Sequence, residues 1–131
     1  MASVVISGDT SGTVTLSAPA VAGSNTISLP AQTGDALVDI ARSLTTNGYV
    51  KLSNGLVIQW GKTASIGTGG SAAVTFPIAF PTNCAVVVSG LEVASGANSF
   101  GVSSGVPTTT GVTLYSNGAV AGPHPWIAIG Y

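Results

Sequence analysis

The sequence predicts an all-β protein built from short strands and tight turns, and three observations carry that expectation. Val, Ile and Thr, which suit a pleated surface, are abundant, while Lys, Glu and Arg, which exposed helix faces favour, are nearly missing. The 18 glycines and 7 prolines in 131 residues exceed the roughly 12 % of a typical globular chain and cut the sequence into short segments. Charged residues make up only 5 % of the chain, against about a quarter in an ordinary soluble domain, and the mean hydropathy is +0.55. A monomer so poor in charge would show water association-prone patches, so the composition also predicts an obligate oligomer whose copies cover one another.

Three segments divide the chain: a β stalk over residues 1–34, a linker helix over 35–47 and a β head over 48–131. In the stalk, Val4-Val5-Ile6 precedes the turn Gly8-Asp9-Thr10-Ser11-Gly12, and Thr13-Val14-Thr15-Leu16-Ser17 and Thr26-Ile27-Ser28-Leu29 alternate at period two. Three such strands offer too little apolar area to offset their ordering entropy, so they need partner chains. In the linker, Asp35 can cap a helix, Leu37, Ile40, Ala41 and Leu44 fall at i, i+3, i+4 and i+7, and Asn47-Gly48 supplies a stop. About three turns would not persist alone.

The head opens on a hairpin. Tyr49–Ser53 and Leu56–Trp60 flank Asn54-Gly55, and a two-residue turn there would set Ser53 opposite Leu56, Lys51 opposite Ile58 and Tyr49 opposite Trp60. Leu52 with Val57 and Val50 with Gln59 then occupy the other side, leaving both faces largely apolar and calling for cover from a second sheet or subunit. Further strands are expected at 72–76, 84–89, 99–103, 112–116 and 126–131, with Pro77, Pro81, Pro107, Pro123 and Pro125 between or at the ends of them. Strands of this length and spacing indicate a sandwich or a barrel.

Several classes of function are disfavoured. No apolar run reaches the ~18–20 residues of a spanning helix, and the short runs and 6 % aromatic content do not match an outer-membrane barrel, so no membrane insertion is expected. Met1-Ala2-Ser3-Val4 lacks the basic segment and apolar core of a secretory signal, which points to synthesis in the cytoplasm. Cys84 is the single cysteine, and its neighbours Ala85, Val86, Val87 and Val88 predict a buried, inert thiol. With a net charge of −1, no basic patch recommends nucleic acid.

Three landmarks then stand in order: Asn47-Gly48-Tyr49-Val50-Lys51-Leu52-Ser53-Asn54-Gly55-Leu56-Val57-Ile58-Gln59-Trp60-Gly61, Phe76-Pro77-Ile78-Ala79-Phe80-Pro81, and Trp126-Ile127-Ala128-Ile129-Gly130-Tyr131. Together they resemble the C-terminal head domain found on many phage tail fibres. The stretch from Thr13 to Pro30 is similar to short β repeats of phage tail proteins. The resemblance implies a homotrimeric β-sandwich head at the distal end of a fibre, in contact with the bacterial surface. Such heads usually end much longer fibres, so the short segment ahead of this one implies a stubby fibre or an adaptor.

The chemistry agrees with binding rather than catalysis. Asp9, Asp35, Asp39 and Glu92 are scattered along the chain, whereas glycan cleavage needs two carboxylates flanking one bond; turn and cap roles account for Asp9 and Asp35. No nucleophile-elbow pattern accompanies the serines. Gly67-Thr68-Gly69-Gly70 lacks the Lys and Ser/Thr of a phosphate loop and reads as a strand connection. His124, the sole histidine, reads as an exposed loop residue between Pro123 and Pro125, with a three-histidine metal site on a trimer axis as the alternative. Trp60 and Trp126 read as core residues.

The expected function is therefore host attachment by a non-enzymatic tail-fibre protein with no cofactor and no resident metal. Its partners would be two further copies of itself, other phage tail proteins at the N-terminal segment, and a bacterial surface glycan or protein at the head. Candidate receptor contacts are Asn98, Tyr115, Asn117 and His124, polar groups in or beside loops rich in Ser, Thr, Gly and Asn. The alternatives are a purely structural virion part, such as a capsid decoration or tail plug, and, more distantly, a glycan depolymerase.

Overall fold

A computed structural model of the chain describes residues 3–7, 10–17, 20–21, 33, 37–92, 102–117 and 121–131. The chain divides into two compact units, Met1–Asp35 and Ala36–Tyr131. In the first, β1 (Ser3–Ser7) and β2 (Thr13–Ser17) form an antiparallel hairpin running from Ser3 opposite Ser17 to Ser7 opposite Thr13. Val4, Val5 and Ile6 are all more than half exposed, because a two-stranded ribbon has no second layer to bury either face. The expected strand Thr26–Leu29 lies outside the described residues.

The second unit is a two-layer β structure. A five-stranded sheet has the order β3-β4-β5-β10-β7, and a three-stranded sheet the order β6-β9-β8. The strands are β3 (Asp39–Ser43), β4 (Gly48–Leu52), β5 (Val57–Ile66), β6 (Ser71–Thr75), β7 (Cys84–Ser89), β8 (Val102–Ser104), β9 (Gly111–Ser116) and β10 (Gly122–Gly130), all antiparallel to their neighbours. Gly67–Gly70 is a turn joining β5 to β6, closed by the Gly70 N–H donating to the Gly67 carbonyl at 2.9 Å, as expected of a strand connection.

The linker helix is not formed. Residues 39–43 are strand β3, an edge strand paired with β4 from Asp39 opposite Leu52 to Ser43 opposite Tyr49. Residues 35 and 36 lie outside the described set. The helical spacing of Leu37, Ile40, Ala41 and Leu44 arises because a bulge at Ile40 interrupts the strand alternation. Pairing also satisfies the open edge of β4: the Ser53 N–H donates to the Val38 carbonyl at 2.9 Å, and the Val38 N–H to Ser53 Oγ at 3.3 Å. A short helix would leave that edge bare and bury little of its own apolar face.

The hairpin is present, but its register is one residue away from the expected one. Gly48 faces Trp60, Tyr49 faces Gln59, Val50 faces Ile58 and Lys51 faces Val57. The turn uses three residues rather than two. The Gly55 N–H donates to the Leu52 carbonyl at 3.0 Å, the Leu52 N–H to the Leu56 carbonyl at 2.8 Å, and Gly55 adopts φ +92°, the type I turn plus bulge of a three-residue loop. Asn54 Oδ1 accepts from the Leu56 N–H at 3.0 Å and holds the bulge. One step of register changes which side chains meet across the strands. Val50, Ile58 and Trp60 now share one face, and Val57 and Gln59 the other.

The core lies between the two sheets. Val57, Trp126, Ala128 and Cys84 from the larger sheet meet Val74, Val112 and Leu114 from the smaller one, with Ile66, Phe76 and Phe80 completing the cluster. Phe76 packs edge-on to Phe80 at 5.2 Å between ring centroids and tilted against Trp126 at 5.6 Å. Trp126 lies flat over Gly61, directly opposite it on β5, where a Cβ would drive into the ring; glycine is the residue that admits this approach. Gln59, fully buried, donates from Nε2 to the Ile78 carbonyl and accepts at Oε1 from the Ile78 N–H, each at 2.9 Å. That pair fixes the Phe76–Pro81 connection to β5 and leaves no amide group of Gln59 unpaired.

Trp126 is core, as expected, but Trp60 is on the outer face of the five-stranded sheet, half-buried, with Nε1 donating to the Thr45 carbonyl at 3.1 Å. Cys84 is buried and free, with Sγ 3.7 Å from the Val86 carbonyl. Burial pushes its thiol above the ordinary range, the contact with the Val86 backbone acting the other way, so it is no nucleophile at neutral pH.

Candidate functional site

The outer faces of the two sheets present different chemistry. On the five-stranded sheet, register sets side chains in two rows. One row runs Val50, Ile58, Ile129, Val86, and the other runs Trp60, Ile127, Val88. Val86, Val88 and Ile127 are 44, 58 and 42 % exposed, and no charged side chain interrupts either row from β4 to β7. The ion pairs stand at the margins: Arg42 with Asp39 at 2.6 Å on the β3 edge, and Lys62 with Glu92.

On the three-stranded sheet, Ser71, Ala73 and Thr75 of β6, Thr113 and Tyr115 of β9 and Ser103 of β8 occupy the outer face, since β9 alternates them with the buried Val112, Leu114 and Ser116. This surface is hydroxyl-rich. From Thr63 to Tyr131 the sequence holds one charged residue, Glu92, so the three strands of this sheet and the β8–β9 connection carry no charged side chain.

A groove of about 310 Å³ lies on this side, lined by Thr75, Thr108, Thr110, Gly111 and Thr113 with Val106 at its rim. The turn that forms its wall is tightly held. Thr108 Oγ1 accepts from the Gly111 N–H at 3.1 Å and from the Thr110 N–H at 3.2 Å, and lies 3.3 Å from Thr110 Oγ1. The Phe76 N–H donates to the Thr110 carbonyl at 2.9 Å and the Phe80 N–H to the Thr109 carbonyl at 2.8 Å, tying the turn to two core aromatics.

Of the four candidate contacts, the structure brings two to the surface. Tyr115 is 42 % exposed on β9, paired with Ser71 on one side and Ser103 on the other. Asn117 is exposed just beyond the end of β9. Asn98 lies outside the described residues.

His124 is the correction. It is completely buried, neither an exposed loop residue nor presented to an axis outside its own sandwich. Strand β10 begins at Gly122 and includes both prolines. In an antiparallel strand each residue's N–H and C=O point to the same neighbour. The carbonyls of Pro123 and Pro125 accept from Glu92 and Gly90 beyond the end of β7, at 3.0 and 2.9 Å, so the missing N–H groups face a side where no ladder bond needs them. The His124 N–H, facing β5, donates to Thr63 Oγ1 at 3.0 Å across a bulge. Its side chain therefore continues the inward series of Trp126 and Ala128. Nδ1 is 3.0 Å from the Gly122 carbonyl, which can only accept, so Nδ1 carries the proton. Among the described residues no group of three His, Cys, Asp or Glu side chains is placed to hold a metal.

The threonine groove was not among the sequence candidates. Its signal is the run Pro107-Thr108-Thr109-Thr110-Gly111, whose hydroxyls meet those of β6 and β9 only after the sheet forms.

Comparison with known proteins gives a consistent result. The family model described as putative tail fiber protein gp53-like, C-terminal, matches residues 51–131. Among solved structures, an N-truncated R2-type pyocin tail fiber is similar at 25 % identity and a TM-score of 0.65, over 76 % of this chain and 39 % of that one. The R2 pyocin fiber of P. aeruginosa, comprising its C-terminal residues 323–691, matches at 26 % and 0.61, over 75 % of this chain and 26 % of that one. An N-truncated R1-type pyocin tail fiber matches at 30 % and 0.61, over 75 % of this chain and 88 % of that one. This chain thus corresponds to well under half of the two R2-type fibers. No curated protein matches it in sequence.

Proposed function

We propose, from the premise that this chain belongs to the gp53-like tail fiber C-terminal family, that it forms a homotrimeric fibre tip attaching a phage tail to the bacterial cell surface. The observation that carries the assembly is the pair of bare apolar rows on the five-stranded sheet. Val50, Ile58, Trp60, Ile127, Ile129, Val86 and Val88 make one continuous face, and a contiguous apolar patch on a chain this poor in charge is the mark of an interface. Two further copies of the chain cover it.

Attachment is the work of the opposite, uncharged and hydroxyl-bearing side, whose groups suit a surface glycan or protein. Binding requires no bond cleavage and no cofactor. Among the described carboxylates, Asp39 faces Arg42 and Glu92 faces Lys62, an arrangement that supports structural roles over a catalytic pair. The N-terminal residues 1–34 dock on other tail proteins, and the protein is made in the host cytoplasm before joining the tail of the virion.

Two measurements test this. Sedimentation in native buffer should give the mass of three chains, and a well-folded monomer at micromolar concentration would refute the trimer. Fluorescently labelled protein should adsorb to intact cells of a susceptible bacterium. Failure to adsorb to any, with labelling of the capsid shell in particle images, would favour a decoration protein instead.

A further inference from the structure

We infer that the threonine-lined groove on the three-stranded sheet is a binding site for a neutral sugar unit of a surface polysaccharide. The inference rests on the attachment reading and names the ligand class and place of recognition. Its volume, about 310 Å³, is at the small end of the ~300–1,000 Å³ typical of ligand clefts, suited to one or two sugar rings rather than a peptide.

The lining selects for hydroxyl groups. Thr75 and Thr113 face outward on adjacent strands, and neither hydroxyl makes a hydrogen bond to another described residue. Each offers a donor and two acceptors to a partner of the same kind. Thr108 and Thr110 supply the opposite wall, already organised by their bonds to Gly111 and to each other, so little ordering entropy is lost when a ligand arrives. At the rim, Val106 is 92 % exposed and gives the C–H face of a ring an apolar contact. Beyond Thr113 on the same face stands Tyr115, its ring edge beside Gly105, placing an amphipathic side chain where a polysaccharide would continue.

Charge excludes the competing ligands. No Lys or Arg occurs between Thr63 and Tyr131. A phosphate or a carboxylated sugar would lose its hydration without gaining an ionic partner, which is costly. A neutral sugar meets no such penalty.

The test uses the intact full-length protein and two probes from a bacterium to which it adsorbs: the neutral polysaccharide fraction of the cell surface and the acidic, phosphate-bearing fraction. Titration calorimetry should show binding to the neutral fraction. That binding should be unchanged between about 0.1 M and about 1 M salt, although the screening length falls from ~10 Å to ~3 Å. The double variant Thr75→Val, Thr113→Val keeps side-chain shape and removes two hydroxyls, and should weaken binding about tenfold, as expected of two hydrogen bonds, with oligomer mass and melting point preserved. Ala73→Gln, which fills the groove from an exposed position on β6, should do the same and guards against a folding effect in the valine pair. If the parent adsorbs to cells but both variants bind like the parent, or if binding is confined to the acidic fraction, the groove is not the site and the attachment reading stands. A parent that adsorbs to no cell overturns both.

Discussion

The two sheets of the head are built from the same few residue types, yet their outer faces differ in kind. Across the five-stranded sheet, register aligns Val, Ile and Trp side chains into two uninterrupted rows. Across the three-stranded sheet, the outward positions hold Ser71, Thr75, Ser103, Thr113 and Tyr115. Inner faces of a sandwich are apolar for the most part, whatever the partners. Outer faces are free to vary, and here one is unsuited to water while the other suits hydroxyl chemistry. With so few charges available, hydrophobicity rather than salt bridging separates the face proposed to meet another copy from the face proposed to meet a ligand.

The comparison can be broken most severely by charge. Ile127 and Val88 face each other across β10 and β7, and Ile127→Lys with Val88→Lys would place two cations inside the proposed interface. We expect loss of the trimer in sedimentation experiments. Thr113→Lys, the same charge on the other sheet, should leave the trimer whole. If both variants dissociate, or neither does, the faces are not functionally distinct.

Next in size is Trp126→Ala, which removes the ring packed between Gly61 and Phe76. A cost of ~3–5 kcal/mol out of a typical ~5–15 should give insoluble or dissociated protein, read by solubility and thermal melting. An unchanged melting point would show that the last strand does not hold the sheets together. Gln59→Leu probes the link from the five-stranded sheet to the connection leading toward β7. It leaves the N–H and C=O of Ile78 without their partners, and chemical denaturation should show a loss of about 1–3 kcal/mol.

The smallest effect is expected at the hairpin turn. Gly55→Ala places a Cβ on a residue at φ +92° in open space, so backbone strain of ~1–2 kcal/mol is the whole effect, and oligomer state should not change. A larger loss, or a new oligomer, would mean that this turn takes part in assembly.

Much of this architecture follows from local sequence, for reasons visible in particular residues. The period-two run Thr13–Ser17 places β2, because alternation is dictated by the pleat itself. Cys84 is buried as its apolar surroundings suggest, although the cluster that covers it comes from other strands and Val86 and Val88 face outward, and the landmarks from Asn47 to Tyr131 carry the family. Asn54-Gly55 marks a turn correctly but leaves its length open: a two-residue loop accepts Gly at its second place and a three-residue loop at its third, and the Leu52–Leu56 and Leu52–Gly55 hydrogen bonds select the longer one. Segment 39–43 has apolar residues at a spacing compatible with a bulged strand or a short helix. The open edge of β4, a feature of the assembled sheet, decides between them.

His124 shows the same limit at a single side chain. Two flanking prolines describe a loop to any local rule, and they fit a strand only because β7 ends at Ser89 and leaves their nitrogens without an obligation to donate. The sequence by itself determined that this protein is all-β, nearly without charge, and of the tail-fibre head family. The tertiary structure alone decided the register, the burial of His124, the gathering of Thr75, Thr108, Thr110 and Thr113 around one groove, and which apolar face stays uncovered. Alternation sorts side chains into two sets within a strand, but only the packing of one sheet on another determines which set faces inward.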